Sequence, residues 1–246
     1  MFRMRSAAAS VGLAVATLVA GTAVAVPAGA ATKTTTIRIG TSVQGRPLVV
    51  IHRWAAGATK RVLVIGNMHG DEQAGLKVIE RLKTRAVPAN VSLWLIPSIN
   101  PDGTRANTRT NAHHVDLNRN FPNSWVYSGR GTSKYSGPRA ASEPETRALM
   151  AFVKRYPPRT TIVFHQPLNG VDSYRAKSMS LVRALSRETG LPIKSFACSG
   201  TCHGTFTGWH NTNTTGRAVT IEFGSAPTNW RLDKVTRAVL TVGSAY

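Results

Sequence analysis

Residues 60–75 read KRVLVIGNMHGDEQAG, and their order decides the fold class: an apolar run at 62–65, a polar turn holding His69, Asp71 and Glu72, then a helix-like segment from Ala74. A short apolar run bounded by turn residues reads as a buried strand. The imidazole of His69 and the carboxylate of Glu72, three residues apart, can converge on one cation, and Gly70 gives the backbone the freedom to aim both. Open α/β sheets place their chemistry just beyond the carboxyl ends of strands, where this turn falls. A lone H-x-x-E also occurs in solvated loops, so a third ligand and a base have to come from elsewhere in the chain.

On the amino-terminal side of this stretch, residues 35–40 and 46–52 are short β-patterned runs joined by a turn at Gln44 and Gly45, which predicts a hairpin at the sheet edge. On the other side come a helix over 74–85 and a strand over 92–96. The alternation argues for an α/β domain. Residues 100–135 are polar and rich in Asn, Arg and Gly, a length that marks a functional loop region in a compact domain. A helix is predicted from Ser142 to about Tyr156, with Ser-Glu-Pro-Glu supplying cap, early acids and a first-turn proline. Further strands are predicted over 160–164 and 218–223, and further helices over 178–189 and 231–242.

The first thirty residues do not read as fold. Two arginines, a small apolar run over 7–25 and Ala28-Gly29-Ala30 form the pattern of a secretory signal peptide, which predicts export and cleavage near Ala30. No later apolar stretch is long enough to span a membrane, so no transmembrane anchor is expected after cleavage. Residues 31–246 then suffice for one domain with a substantial core.

The chain carries a formal charge of +20, and losing residues 1–30, with two arginines and no acid, leaves +18. Such an excess favours polyanions. The basic residues are scattered, without a block, a nucleic-acid motif or interleaved aromatics, which argues against nucleic acid. For an exported protein an anionic wall polymer is the more economical partner, with solubility alone as the bland alternative. Cys198 and Cys202 are the only cysteines, expected to close a small loop disulfide in an oxidising compartment; two free thiols or a metal pair are the alternatives.

Only eleven acids exist, and five of them, Asp71, Glu72, Asp102, Asp116 and Glu222, fall in stretches with other chemistry-bearing residues. Predicted strands end at or near His69, His165 and Glu222. A glutamate inside the apolar run VTIEFG needs a partner or a task. Two histidines and a glutamate, here His69, His165 and Glu72, are a common ligand set for catalytic zinc with one position left to water. Glu222 is then the carboxylate that takes a proton from that water.

In order along the chain stand IGTSVQGRPL, NMHGDE, NPDG, VDLNRNFP, SEPET, the FH of FHQP and TIEFG. With these motifs the mature chain resembles the zinc metallocarboxypeptidases of the carboxypeptidase A type, and more closely their short bacterial relatives, the murein peptide amidases and γ-D-glutamyl-diaminopimelate peptidases. The resemblance implies a single domain at 31–246 built on a mixed, mostly parallel twisted sheet with helices on both faces. It implies one zinc ion held by His69, Glu72 and His165, with Glu222 as general base. It makes Arg109 the oxyanion donor and Asn118 and Arg119 the pair that grips a substrate carboxylate. Asp116 is the expected acceptor that orients His69, with Asp102 the alternative.

One departure bears on specificity. Large eukaryotic members of the family use a tyrosine in the loop before the base, and no tyrosine lies between Tyr174 and Glu222 here; the loop offers His203, Phe206, Trp209 and His210 instead. The expected activity is an exported zinc peptidase that cuts beside a carboxylate-bearing residue, with a peptidoglycan stem peptide as the candidate substrate. A non-catalytic basic wall-binding protein and a zinc amidohydrolase of small acylated amino acids are the competing classes.

Overall fold

The computed structural model describes Met1, residues 31–198 and residues 202–246; apart from Met1, the leader expected at 1–30 lies outside the described residues. The strands are β1 (Lys33–Thr41), β2 (Pro47–Trp54), β3 (Lys60–Asn67), β4 (Val91–Ser98), β5 (Thr160–His165), β6 (Leu168–Asp172), β7 (Ile193–Lys194) and β8 (Arg217–Gly224). The helices are α1 (Ala74–Leu82), α2 (Pro101–Ala106), α3 (Pro144–Arg155), α4 (Met179–Thr189), α5 (Phe206–Asn213) and α6 (Asn229–Ala245). One sheet runs β1-β2-β4-β3-β5-β8-β6-β7. Its centre, β4-β3-β5-β8, is parallel. Antiparallel pairings bring in β2 beside β4 and β6 beside β8, and the β1-β2 hairpin closes one edge.

Successive side chains of a strand point to opposite faces, so the continuous apolar runs of the central strands feed two cores. Val62, Val64, Ile162, Phe164, Val219 and Phe223 pack under Val78 and Leu82 of α1, Leu181 and Leu185 of α4, and Val235 and Val239 of α6. Leu63, Ile65, Trp94, Ile96 and Val163 face the other way, toward Leu149, Phe152 and Val153 of α3 and Phe206 and Trp209 of α5. Phe164 is fully buried with its ring 5.4 Å from that of Phe223. Truncating Phe164 to alanine in so closed a site costs roughly 3 to 5 kcal/mol.

Several elements differ from the sequence expectation. α3 begins at Pro144, with Glu143 rather than Ser142 at the cap and no side-chain cap bond. Ser142 Oγ instead donates to Glu143 Oε1 at 2.6 Å, and the other oxygen of Glu143 accepts from Asn111 Nδ2 at 2.8 Å. The polar stretch 100–135 contains α2 and a 3-10 turn, Leu117–Arg119. β6 and α5 were not predicted, because LNGVD carries an Asn-Gly turn signal and FTGWHNTN carries a central glycine and little periodicity. Pairing with β8 and packing against Phe121 override those local preferences. No helix of the described residues is long and apolar enough to cross a membrane.

The topology aims one edge at chemistry. β3, β5 and β8 are parallel neighbours, so His69 just past β3, His165 at the end of β5 and Glu222 near the end of β8 come to the same edge, with His165 and Glu222 in register.

Candidate active site

Beyond β3 the backbone N–H of Glu72 donates to the carbonyl of His69 at 3.0 Å, a turn that brings both side chains to one side. Buried Asn67 fastens the turn, its Nδ2 donating to the carbonyls of His69 and Glu72 at 2.8 and 3.1 Å. Gly70 serves this turn differently from the sequence expectation. Its φ does not lie in the left-handed region; the constraint is space, since a Cβ there would lie 2.0 Å from the carbonyl carbon of Gly103 in α2. Any side chain at this position would push α2 off the turn.

His69, Glu72 and His165 are 2, 8 and 4 % exposed, and a ligand atom from each lies within 4.8 Å of the others. Nδ1 of His69 is 2.8 Å from Glu72 Oε1, Nδ1 of His165 is 2.7 Å from Glu72 Oε2, and the two ring nitrogens are 3.1 Å apart. On its far side the His69 ring sets Nε2 2.9 Å from Asp116 Oδ1. Asp116 is ionised, held well below the usual carboxylate range because His69 and Arg109 outweigh the opposing effect of burial. A carboxylate there fixes the proton of a neutral ring on Nε2 and turns the lone pair of Nδ1 toward Glu72 and His165.

Electrostatics at this point call for a cation. Burial acts to lower the pKa of His69, but Asp116 and Glu72 outweigh it and raise it to about 9. Glu72 is likewise driven below its ordinary range, its burial outweighed by His165 and His69. Surroundings that hold a proton so firmly also hold a divalent cation, which displaces it. Two imidazoles and one carboxylate with a further position open match the donor set of a catalytic zinc.

Asp116 also shapes what surrounds the cluster. Its Oδ1 accepts from the backbone N–H of Asn118 at 2.9 Å, capping the turn that carries Asn118 and Arg119. Its Oδ2 takes Nε and Nη2 of Arg109 at 3.1 and 2.9 Å, while Nη1 of Arg109 reaches Glu72 Oε1 at 3.1 Å. Asn118 Nδ2 stands 3.5 Å from His165 Nε2, and its Oδ1 accepts the backbone N–H of Phe206 at 3.0 Å. Arg119 donates to the Asn118 carbonyl at 2.7 Å and lies 3.5 Å from Cys198 Sγ. No described carboxylate pairs with it. Asp102, the alternative acceptor for His69, is engaged elsewhere, by Ser42 Oγ at 2.8 Å and the backbone N–H of Gln44 at 3.0 Å.

Glu222 is 9 % exposed, and its Oε2 accepts the backbone N–H of Leu168 at 3.3 Å. Burial raises its pKa. His69, Glu72, His165, Arg109, Asn118, Arg119 and Glu222 all line one cavity of about 560 Å³. Cys198 and Cys202 line it too, joined by a disulfide.

Of the four residues that the sequence offered in place of the family's tyrosine, none lines the cavity. Phe206, Trp209 and His210 are buried against Phe121 and Thr161, and His203 bonds the carbonyl of Ser124 at 2.7 Å. From that part of the chain Thr205, Thr207, Gly208 and Asn211 line the cavity, as do Asp172, Tyr174 and Arg175 from the segment after β5. No periodic pattern marks these residues, although Asp172 is one of only eleven acids. Gly204, at φ +61, ties the loop to the site: a Cβ there would sit 2.2 Å from the carbonyl oxygen of Arg119.

A model of the Peptidase_M14 family, described as zinc carboxypeptidase, matches residues 28–171. The chain belongs to the zinc carboxypeptidase family. Zinc is that family's metal, and among the described residues His69, Glu72 and His165 form the group able to hold a metal ion. Murein peptide amidase A from Vibrio campbellii is 32% identical over 167 residues, covering 63% of this chain and 66% of that protein. Its Escherichia coli K12 counterpart is 31% identical over 148 residues, covering 55% and 61%. The matched region thus spans just under two thirds of these relatives' length. A murein-tripeptide amidase structure from Escherichia coli O157 superposes with a TM-score of 0.71 at 26% identity, covering 85% of this chain and 91% of that one. Carboxypeptidase A from Helicoverpa armigera shares the fold, with a TM-score of 0.71 at 15% identity over 86% of this chain and 69% of that one. The zinc carboxypeptidase match ends at residue 171, so Glu222 lies outside it.

Proposed function

We propose that this chain is an exported, zinc-dependent peptidase that hydrolyses a peptide bond beside a carboxylate-bearing residue, with a peptidoglycan stem peptide as its substrate. One observation carries the reading: Arg119, a half-buried guanidinium without a carboxylate partner among the described residues, shares a cavity with the His69, Glu72 and His165 cluster and with Glu222. A cation left unpaired beside a hydrolytic constellation is a place for a substrate anion. The wall peptide is favoured by the murein peptide amidase relatives and by the excess of positive charge. Export rests on the leader pattern of residues 1–30.

Zinc in such a site supplies Lewis acidity and lowers the pKa of a water in its open position toward about 7. His69, Glu72 and His165 hold the metal, and Asp116 keeps the His69 ring in the tautomer that can do so. Glu222 takes a proton from the attacking water and returns it to the leaving amine. Its burial helps, because a carboxylate of raised pKa accepts a proton more readily near neutral pH. Arg109, steadied by Asp116, points Nη1 at the cluster and donates to the carbonyl oxygen as negative charge builds there. Arg119 and Asn118 anchor the substrate carboxylate.

Purified protein lacking residues 1–30 should hold one zinc per chain and release mass-defined products from wall peptides. His69→Ala and His165→Ala should each lose most of the metal and the activity. Full zinc and full activity in either variant would overturn the ligand set.

A further inference from the structure

We propose that the edge of the sheet opposite the catalytic one carries a second binding site, in which Arg61, Arg159 and Arg217 hold a linear phosphate polymer without bases. The site goes beyond the peptidase reading and does not depend on it. Arg61 stands at the start of β3, Arg159 immediately before β5 and Arg217 at the start of β8, three neighbouring parallel strands. The backbone N–H of Arg159 donates to the carbonyl of Arg61 at 2.9 Å, and that of Arg217 to the carbonyl of Arg159 at 3.0 Å, so the three residues sit side by side. With Thr59, Pro157 and Thr215 they line an open hollow of about 540 Å³. At about 3.3 Å per residue along β5 and β8, it lies roughly 15 to 20 Å from His165 and Glu222.

No acidic side chain answers these charges. The ion pairs that lysines and arginines form among the described residues all use other cations. Nε of Arg159 donates to the carbonyl oxygen of Tyr246, and Nη1 of Arg61 stands 3.5 Å from the carbonyl oxygen of Pro157. The Tyr246 oxygen takes up part of one charge; Arg61 and Arg217 keep theirs. Arg217 is half-buried, and no described residue accepts from its guanidinium. The surroundings are stiff. Pro157 and Pro158 have fixed φ, and Gly216 sets how closely β8 approaches them, since a Cβ there would lie 2.0 Å from the Pro158 carbonyl oxygen. A guanidinium presents a planar fork that takes two oxygens of one phosphate. Neighbouring strands are about 4.8 Å apart, so the three arginines start from positions spread over roughly 10 Å, more than a single phosphate covers. No aromatic side chain lines the hollow, which leaves nucleic acid bases nothing to stack on. With the polymer held at this edge, the catalytic edge faces away from it and stays open to substrate. That the polymer belongs to a cell wall rests on the export reading; the binding does not.

The bland reading makes these solvated arginines in a chain of formal charge +20, which attracts any polyanion. The probes are a short linear polyphosphate, poly-L-glutamate of matched charge, a single-stranded DNA oligonucleotide and inorganic phosphate. Each is titrated by calorimetry into zinc-loaded wild type, Arg61→Gln/Arg217→Gln and a control, Arg183→Gln/Arg237→Gln, which removes two exposed arginines from α4 and α6. Wild type should bind polyphosphate at least about tenfold tighter than any other probe. The first double variant should lose about tenfold or more of that affinity and the control about twofold or less. Equal losses in the two variants would assign binding to net charge and overturn the site. Polyglutamate, the oligonucleotide or inorganic phosphate binding wild type as tightly as polyphosphate would overturn the ligand. One measurement needs no variant: the Nε–H resonance of Arg217 should shift as polyphosphate is added to wild type, and its constancy would overturn the proposal. Neither pair of arginines touches the histidine cluster, so failure of this site and failure of the peptidase reading show in separate measurements, polymer binding and peptide hydrolysis.

Discussion

His69 and Asp116 meet at 2.9 Å, ring nitrogen to carboxylate, and the other oxygen of that carboxylate holds Arg109 at 2.9 Å. One fully buried side chain therefore sets both the tautomer of His69 in the metal-binding cluster and the position of Arg109, the proposed oxyanion donor. Asp116→Asn keeps the volume and loses the charge, so the His69 proton is no longer drawn to Nε2. Zinc affinity should fall by roughly 10 to 100-fold. Competition with a chelator of known affinity measures it, and unchanged affinity would remove Asp116 from this role.

Glu222→Gln should leave zinc content and substrate affinity near wild type while kcat falls by at least about 100-fold, since an amide preserves shape and cannot accept the proton. Metal analysis and steady-state kinetics on the same preparation are sufficient. Near-normal turnover would eliminate Glu222 as the base.

The sequence made the catalytic edge legible where chemistry interrupts a strong pattern. Residues 62–65 are an apolar run and 160–164, TTIVF, a β-branched one, both patterned as buried strands, so the histidines past them were expected at one edge, and β3 and β5 are neighbours there. Glu222 was visible for the same reason, as a carboxylate inside an apolar strand. Asp116 was harder to place, because its partner His69 lies 47 residues away and only tertiary packing chooses it over Asp102. Much of the cavity lining was not legible. β6 and α5 have weak local propensity and form because β8 and Phe121 offer partners, so Asp172, Thr207 and Asn211 had no pattern to announce them. The resemblance to the family put four aromatic and histidine side chains forward in place of its tyrosine, whereas Phe206, Trp209 and His210 complete the core instead.

His210 gives the fold an acid-sensitive point remote from the metal ligands. It is fully buried, 3.0 Å from Thr161 Oγ1 and 3.2 Å from Thr214 Oγ1, and burial, with a smaller part from Lys177, lowers its pKa from 6.5 to about 4. The unfolded chain binds this proton below about pH 6.5 and the folded chain only below about pH 4. Its contribution is therefore complete above pH 6.5, declines as pH falls toward 4 and then levels off, a total on the order of 3 kcal/mol. His52, stacked between Trp54 and Trp94 and lowered to about 4 by burial, acts in the same direction but more weakly because it is partly exposed. Urea unfolding of zinc-free wild type and His210→Gln, compared between about pH 7.5 and 4.5, should show the wild type losing more stability. A difference independent of pH would mean that His210 does not enter the core uncharged.

Arg119 and its unmet charge lead to the last expectation, which concerns the end of the substrate. The guanidinium is held by the Asn118 carbonyl and packs on Cys198, and burial acts to lower its pKa, with Arg109 adding to that effect and Asp116 opposing it. A substrate carboxylate relieves this by supplying a counter-charge in the planar, two-oxygen form that a guanidinium fits. An amidated end would leave the cation desolvated and unpaired, costing about 2 to 5 kcal/mol. Free-acid peptides should accordingly be cut far faster than their amides, chiefly through kcat/KM. In a diamino diacid the anchored carboxylate can belong to the residue itself, so a true chain end is not required. Arg119→Ala should erase the preference by slowing the acid and leaving the amide nearly unchanged. The measurement is kcat/KM for one matched acid and amide pair with both proteins. Equal rates in the wild type would dismiss Arg119 as the anchor and leave a peptidase that chooses its bond by the side chain alone.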